Sequence, residues 1–146
     1  MSLRKIITDD LNFLRKKSKP IVEFDDKLSI LLDDMIETLH ATKNAVGLAA
    51  VQIGVLKCAV VIDVGEGVIE LINPKIVEKK GEQNEIEGCL SFPGVQKRVK
   101  RPSFVVVEAK NRKGEKITVK GEGLLARALC HEVDHLNGIV FLDRAE

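Results

Sequence analysis

The chain has 146 residues, enough for one hydrophobic core and little more, so a single domain spanning residues 1–146 is expected. With 45% apolar and 31% charged residues, no Trp and no Tyr, it reads as an ordinary globular protein with an aliphatic core. A formal net charge of +1 leaves no excess positive potential to hold a polyanion, and no run of about eighteen apolar residues occurs, so no specific nucleic acid and no membrane are expected as partners.

The opening MSLRKIITDDLNFLRKK is interrupted by Asp9 and Asp10 before any long apolar region develops. The basic groups Lys16, Lys17, Lys19 and Lys97, Arg98, Lys100, Arg101 sit in mixed-charge stretches and read as solvated surface. Asp25 or Asp26 can cap a helix whose apolar residues Leu28, Leu31, Leu32, Met35 and Leu39 recur at steps of three and four, and His40 falls near its end, where a cation is favourable. Gly47 to Gly54 is a small-residue run carrying one amide, Gln52. Short strands follow at Cys58 to Ile62, Val68 to Ile72 and Ile76 to Val77, with Asn73-Pro74 read as a turn.

Further on, Ser103 to Ala109 and Glu115 to Lys120 flank Asn111-Arg112-Lys113-Gly114, the pattern of a β-hairpin. From Leu124 the spacing becomes helical through Leu125, Ala128 and Leu129 into His131-Glu132-Val133-Asp134-His135, and Asn137-Gly138 supplies a stop. The order predicts an α+β fold, with antiparallel β-sheets packed around a central helix that carries the HExxH run. Cys58, Cys89 and Cys130 cannot all pair and form no CxxC, which argues for a reducing, cytoplasmic setting; Cys58 and Cys130 read as packing residues.

Two histidines four residues apart on a helix share a face and can grip one metal ion. Glu132 between them can accept a proton from a water that the ion activates. Such a site commonly takes a third protein ligand. Downstream only Asp143 and Glu146 offer carboxylates, whereas upstream Cys89 lies in Glu87-Gly88-Cys89-Leu90-Ser91, beside a Gly that lets another backbone approach. Taken alone, a cysteine there is more often a buried small hydrophobe than a ligand. Asp134 can orient a ligating imidazole, tie the helix to a loop, or sit at the surface.

GLAAVQ at Gly47 to Gln52, EGCLS at Glu87 to Ser91 and HEVDH at His131 to His135 resemble, in order, the three motifs of the peptide deformylase family. The resemblance extends over nearly the whole chain. It implies that Cys89, His131 and His135 bind one divalent ion, usually Fe2+ in the family although Zn2+, Ni2+ or Co2+ can occupy the same ligands. It implies further that Glu132 is the general acid/base and that the Gln52 amide and the Leu90 backbone N–H stabilise the oxyanion. The expected activity is removal of the formyl group from N-formylmethionyl peptides, bound as an added strand along the backbones of Val46, Gly47, Leu48 and Gly88. Val46, Leu124 and Ala128 are candidates for lining the methionine pocket, although core packing explains each as well. A monomer is expected.

The chain departs from the usual pattern at Ala45, where the family carries Gly, and at Val51, where it most often carries Pro. Bacterial relatives often continue into a further helix implicated in ribosome contact, whereas this chain stops eight residues after Gly138, so that mode of contact is not carried over and any ribosome contact is expected to be transient. Two rival readings are a metallopeptidase cutting internal peptide bonds, supported by HExxH alone, and a deformylase-like protein that binds metal and peptide but turns over poorly.

Overall fold

The computed structural model describes residues 3–145; Glu146, one of the downstream ligand candidates, lies outside them. The elements run α1 (Leu11–Leu14), α2 (Asp26–Ala41), β1 (Gly47–Ala49), β2 (Ala59–Ile62), β3 (Ile69–Lys80), β4 (Gln83–Cys89), β5 (Phe92–Arg101), β6 (Phe104–Lys110), β7 (Lys116–Glu122) and α3 (Gly123–Leu136). One sheet has the strand order β1-β2-β3-β6-β7, the other pairs β4 with β5, and each strand pairing is antiparallel. The expected α+β class with antiparallel sheets is thus observed.

Asp25 caps α2, its carboxylate accepting the Leu28 N–H at 3.1 Å, an interaction typically worth about 1 kcal/mol. Leu28, Leu31, Leu32, Met35 and Leu39 are all buried, as their spacing predicts. They pack with Leu48, Ala59, Val61 and Ile72, whereas Val60, Ile62, Leu71, Val105 and Val107 pack with Ala126, Leu129 and Cys130 of α3. Successive residues of β2 therefore face opposite helices, which is why Ala59 to Ile62 is an unbroken apolar run instead of an alternating one. A third cluster, Leu14, Phe92, Val99, Val140 and Phe141, lies against the smaller sheet.

Asn73-Pro74 does not form a turn: both residues lie inside the single strand β3, where the register slips between Ile72 and Lys75. Asn73 adopts φ 52°, and its amide exchanges two hydrogen bonds of 2.8 Å with the Ile21 backbone. The bulge absorbs a proline that has no N–H to give the ladder. The β6–β7 hairpin does turn where expected, with Asn111 Oδ1 accepting the N–H groups of Lys113 and Glu115 and Gly114 at φ 81°.

Arg101 corrects the surface reading of its basic cluster. It is only 4% exposed, on the face of β5 that also buries Val99, while Arg98 and Lys100 point to the other face and Lys97 stays exposed. Cys58 and Cys130 pack against the α3 core. His40, in the last turn of α2, contacts Asp63 through Nε2 at 2.8 Å. Among the described residues, no helix is long and apolar enough to cross a membrane.

Candidate metal centre

Two elements supply the donors. α3 starts at a close strand-to-helix junction, where a Cβ on Gly121 would meet Leu129 Cδ1 at 2.8 Å, and every residue from Ala126 to Leu136 is buried. Asn137 caps its end and Gly138 follows at φ 75°. The one-turn spacing brings His131 and His135 to a centroid separation of 5.0 Å. Cys89 ends β4 at a register shift, Gly88 pairing with Gln96 but Cys89 with Phe92, and such bulges re-aim side chains.

The ligand atoms of Cys89, His131 and His135 all lie within 4.8 Å of one another, and Cys89 Sγ is 3.3 Å from His135 Nε2. A thiolate and two imidazoles form a donor set suited to a borderline divalent ion. Asp143, the described downstream candidate, instead pairs with Arg15 at 2.7 Å.

Glu87, two residues before the cysteine, is a hub that the sequence reading overlooked. Its carboxylate receives Arg101 Nε at 2.9 Å and Nη2 at 3.0 Å, a bond from Arg127 Nη1, and His131 Nδ1 at 2.9 Å. Burial opposes its charge, but His131 and Arg101 outweigh burial and hold its pKa down at about 2. Fixing Nδ1 of His131 leaves Nε2 to face a metal, the usual role of a carboxylate behind a ligating imidazole. Burial opposes the charge of His131, yet the hydrogen bonds to Cys89 and Glu87 raise its pKa to about 10. Burial holds His135 well below its ordinary range. Asp134 ties the helix to its surroundings, accepting Arg101 Nη1 at 2.7 Å and Arg144 Nε at 2.6 Å.

Glu132 is 4% exposed, and its Oε1 has no hydrogen-bond partner. Burial pushes its pKa up to about 7, where a carboxyl can both take and release a proton near neutral pH. Its side chain lies across Gly47: a Cβ added there would stand 2.6 Å from Oε2. Gly47→Ala should therefore displace the carboxylate and lower kcat by roughly 100-fold, the scale of an ångström-sized misplacement. Unchanged turnover in this variant would show that Glu132 has room to adapt.

Gln52 is 1% exposed in a 3₁₀ turn, Ala50–Ile53, where Val51 is also fully buried. Its Oε1 accepts the Ala49 N–H at 2.9 Å, which fixes the amide orientation. Nε2 then points to Ser91 Oγ at 3.2 Å and Cys89 Sγ at 3.7 Å.

A cleft of about 690 Å³ joins these groups, within the usual range for ligand sites. Val46, Gly47, Gln52, Gly88, Cys89 and Leu90 line it from the strands and loops; Leu124, Arg127, Ala128, His131 and Glu132 line it from α3. Leu124 is 52% exposed at its rim and Ala128 is buried. The Leu48 side chain lies outside it, wholly buried in the α2 core. β1 is an edge strand, and with the Asp63 N–H donating to the Val46 carbonyl at 2.8 Å, the Gly47 backbone groups point away from β2.

The sequence profile described as polypeptide deformylase matches residues 3–146. The chain belongs to the peptide deformylase family. A peptide deformylase of Acetivibrio thermocellus is 62% identical over 144 residues, which cover 99% of this chain and 84% of that protein. Peptide deformylase 2 of Clostridium acetobutylicum is 54% identical over 143 residues, 98% of this chain and 95% of the relative. The crystal structure of the Thermotoga maritima peptide deformylase superposes with a TM-score of 0.95 at 38% identity, covering 99% of this chain and 98% of that one. The peptide deformylase of Ehrlichia chaffeensis in complex with actinonin gives 0.96 at 39% identity, covering 100% and 90%. Against this peptide deformylase framework, Glu87, Arg101 and Arg127 are buried charged residues to which the motifs assign no role, although Glu87 opens the EGCLS run. For Arg101 a partial signal was its place two after the apolar Val99; Arg127, on α3, had none.

Proposed function

We infer that this chain is a peptide deformylase, hydrolysing the formyl amide of N-terminal formyl-methionine on newly made polypeptides. The carrying observation is the convergence of Cys89, His131 and His135 beside the buried Glu132, whose Oε1 has no hydrogen-bond partner. We assign those three as metal ligands, Glu132 as general acid/base, and the Gln52 amide with the Leu90 backbone N–H as oxyanion donors. The ion is proposed to be ferrous iron, with zinc, nickel or cobalt able to take the same ligands.

When bound, the ion supplies Lewis acidity and a water made nucleophilic at neutral pH. Glu132 Oε1 takes the proton of the attacking water and returns it to the departing amine, a shuttle suited to a pKa of about 7. Charge developing on the formyl oxygen meets Gln52 Nε2, whose direction is set before substrate arrives because Oε1 is held by Ala49. The peptide adds as a strand between the outward Gly47 backbone and Gly88 of β4, whereas the Val46 carbonyl is taken by Asp63 and Leu48 pairs with Val61 of β2, so the expected backbone contribution of these two falls away. Val46, Leu124 and Ala128 receive the methionine side chain.

In this reading α3 is the central helix of one catalytic domain, 1–146, and the sheets serve to bring Cys89 and Gln52 to it. The enzyme works as a cytoplasmic monomer with at most transient ribosome contact.

Gln52→Leu should lower kcat by roughly 10²–10³ with little change in KM, the effect of losing an oxyanion donor. A raised KM at unchanged kcat would make Gln52 a binding residue only. The function itself is tested by offering formyl-Met-Ala together with an unformylated Met-Ala-containing peptide. Formate release without cleavage of internal bonds is expected; internal cleavage would favour the metallopeptidase reading, and metal-loaded protein without formate release the binding-only one.

A further inference from the structure

Gln52 and Cys89 stand on different sheets. The 3₁₀ turn holding Gln52 follows β1 of the five-stranded sheet, Cys89 ends β4 of the two-stranded one, and no strand pairing joins the two among the described residues. Donors on opposite sides of one reacting atom must nevertheless stay aligned to about 0.5 Å. Something outside the ladders has to set that distance.

The irregular segment Leu3–Asp9 bonds to both sides. Arg4 fastens it to α2, its N–H donating to Thr38 Oγ1 at 2.9 Å and its Nε to Asp34 at 2.8 Å. Three residues later the Ile7 N–H donates to the backbone carbonyl of Gln52 at 2.7 Å. After two more, the Asp9 N–H donates to the carbonyl of Ser91 at 2.8 Å, with Asp9 in the left-handed region at φ 57°. Ser91 in turn accepts the Gln52 amide on its hydroxyl, and the Ile7 side chain packs in the cluster that also touches Cys89.

We propose that this N-terminal strap is a positioning element of the active site, in which Ile7 and Asp9 fix the Gln52 turn relative to the Cys89–Leu90–Ser91 backbone. The proposal rests on the reading of Gln52 as an oxyanion donor. Ile7 and Asp9 touch no substrate. They act through Gln52 and Ser91, so loosening the strap misplaces the amide and slows the chemical step while leaving peptide binding in place.

The test is a double-mutant cycle on formyl-Met-Ala turnover by the full-length metal-loaded protein, combining Ile7→Pro, which deletes the donor N–H, with Gln52→Ala. With Gln52 intact, Ile7→Pro is expected to lower kcat about tenfold with KM within about twofold; in the Gln52→Ala background, where no amide remains to misplace, the loss shrinks to less than about twofold. Equal losses in both backgrounds, or no loss in the first, overturn the strap's role. If Gln52→Ala alone leaves kcat unchanged, the oxyanion reading fails instead. Should Ile7→Pro not fold, Arg4→Ala, which releases the anchor and keeps the backbone donors, carries the same cycle with the same pair of outcomes and a smaller first loss.

Discussion

Glu132→Ala is expected to keep about one equivalent of metal and to lose between about 10²- and 10⁴-fold in kcat, the range for a positioned general acid/base. Glu132 lies in sequence between two proposed ligands, yet its own oxygens are not among the converging donor atoms. Its Oε1 is buried without a partner, and its Oε2 lies over the edge-strand backbone at Gly47. A group placed there and lifted to a pKa of about 7 can move protons. Metal analysis beside steady-state kinetics checks the pair of expectations, and loss of metal from this variant would reassign Glu132 as a ligand.

The complementary result is expected at the ligands. Cys89→Ala and His135→Ala should each lose most of the metal, and activity with it, because each removes one of the three proposed donors that converge among the described residues. Cys89→Ala should leave the fold in place, since β4 is held to β5 along the pairs from Gln83↔Arg101 to Gly88↔Gln96. Elemental analysis after anaerobic purification reads the outcome. Both variants retaining a full equivalent would place the metal elsewhere.

Much of this architecture is legible in the sequence where one period dominates. The 3.6-residue spacing exposes α2 and α3, and the Asn111 to Gly114 turn fixes the β6–β7 hairpin. β4 and β5 are not legible in the same way, because their faces mix exposed Ile86 with buried Glu87 and Arg101, so polarity does not report burial there. Asn73-Pro74 carries turn chemistry, yet tertiary bonds from Asn73 to Ile21 make it a bulge instead.

The candidate site divides likewise. Its proposed ligand residues stand in compact motifs, whereas the Glu87, Arg101 and Arg127 cluster unites β4, β5 and α3 by contacts far apart in the chain. Arg101 looked like one more surface cation because its neighbours are. What sets it apart is tertiary: it is buried against Glu87 and Asp134, which outweigh burial and hold it charged.

One ion at Cys89, His131 and His135 is expected to be what makes this chain release formate. The most direct measurement titrates metal-free protein with ferrous ion under anaerobic conditions while following formate release from formyl-Met-Ala. Activity should rise in proportion to added iron and level off at about one equivalent, with Cys89→Ala giving no comparable rise. Formate release without metal, or an unaltered titration in Cys89→Ala, would contradict it.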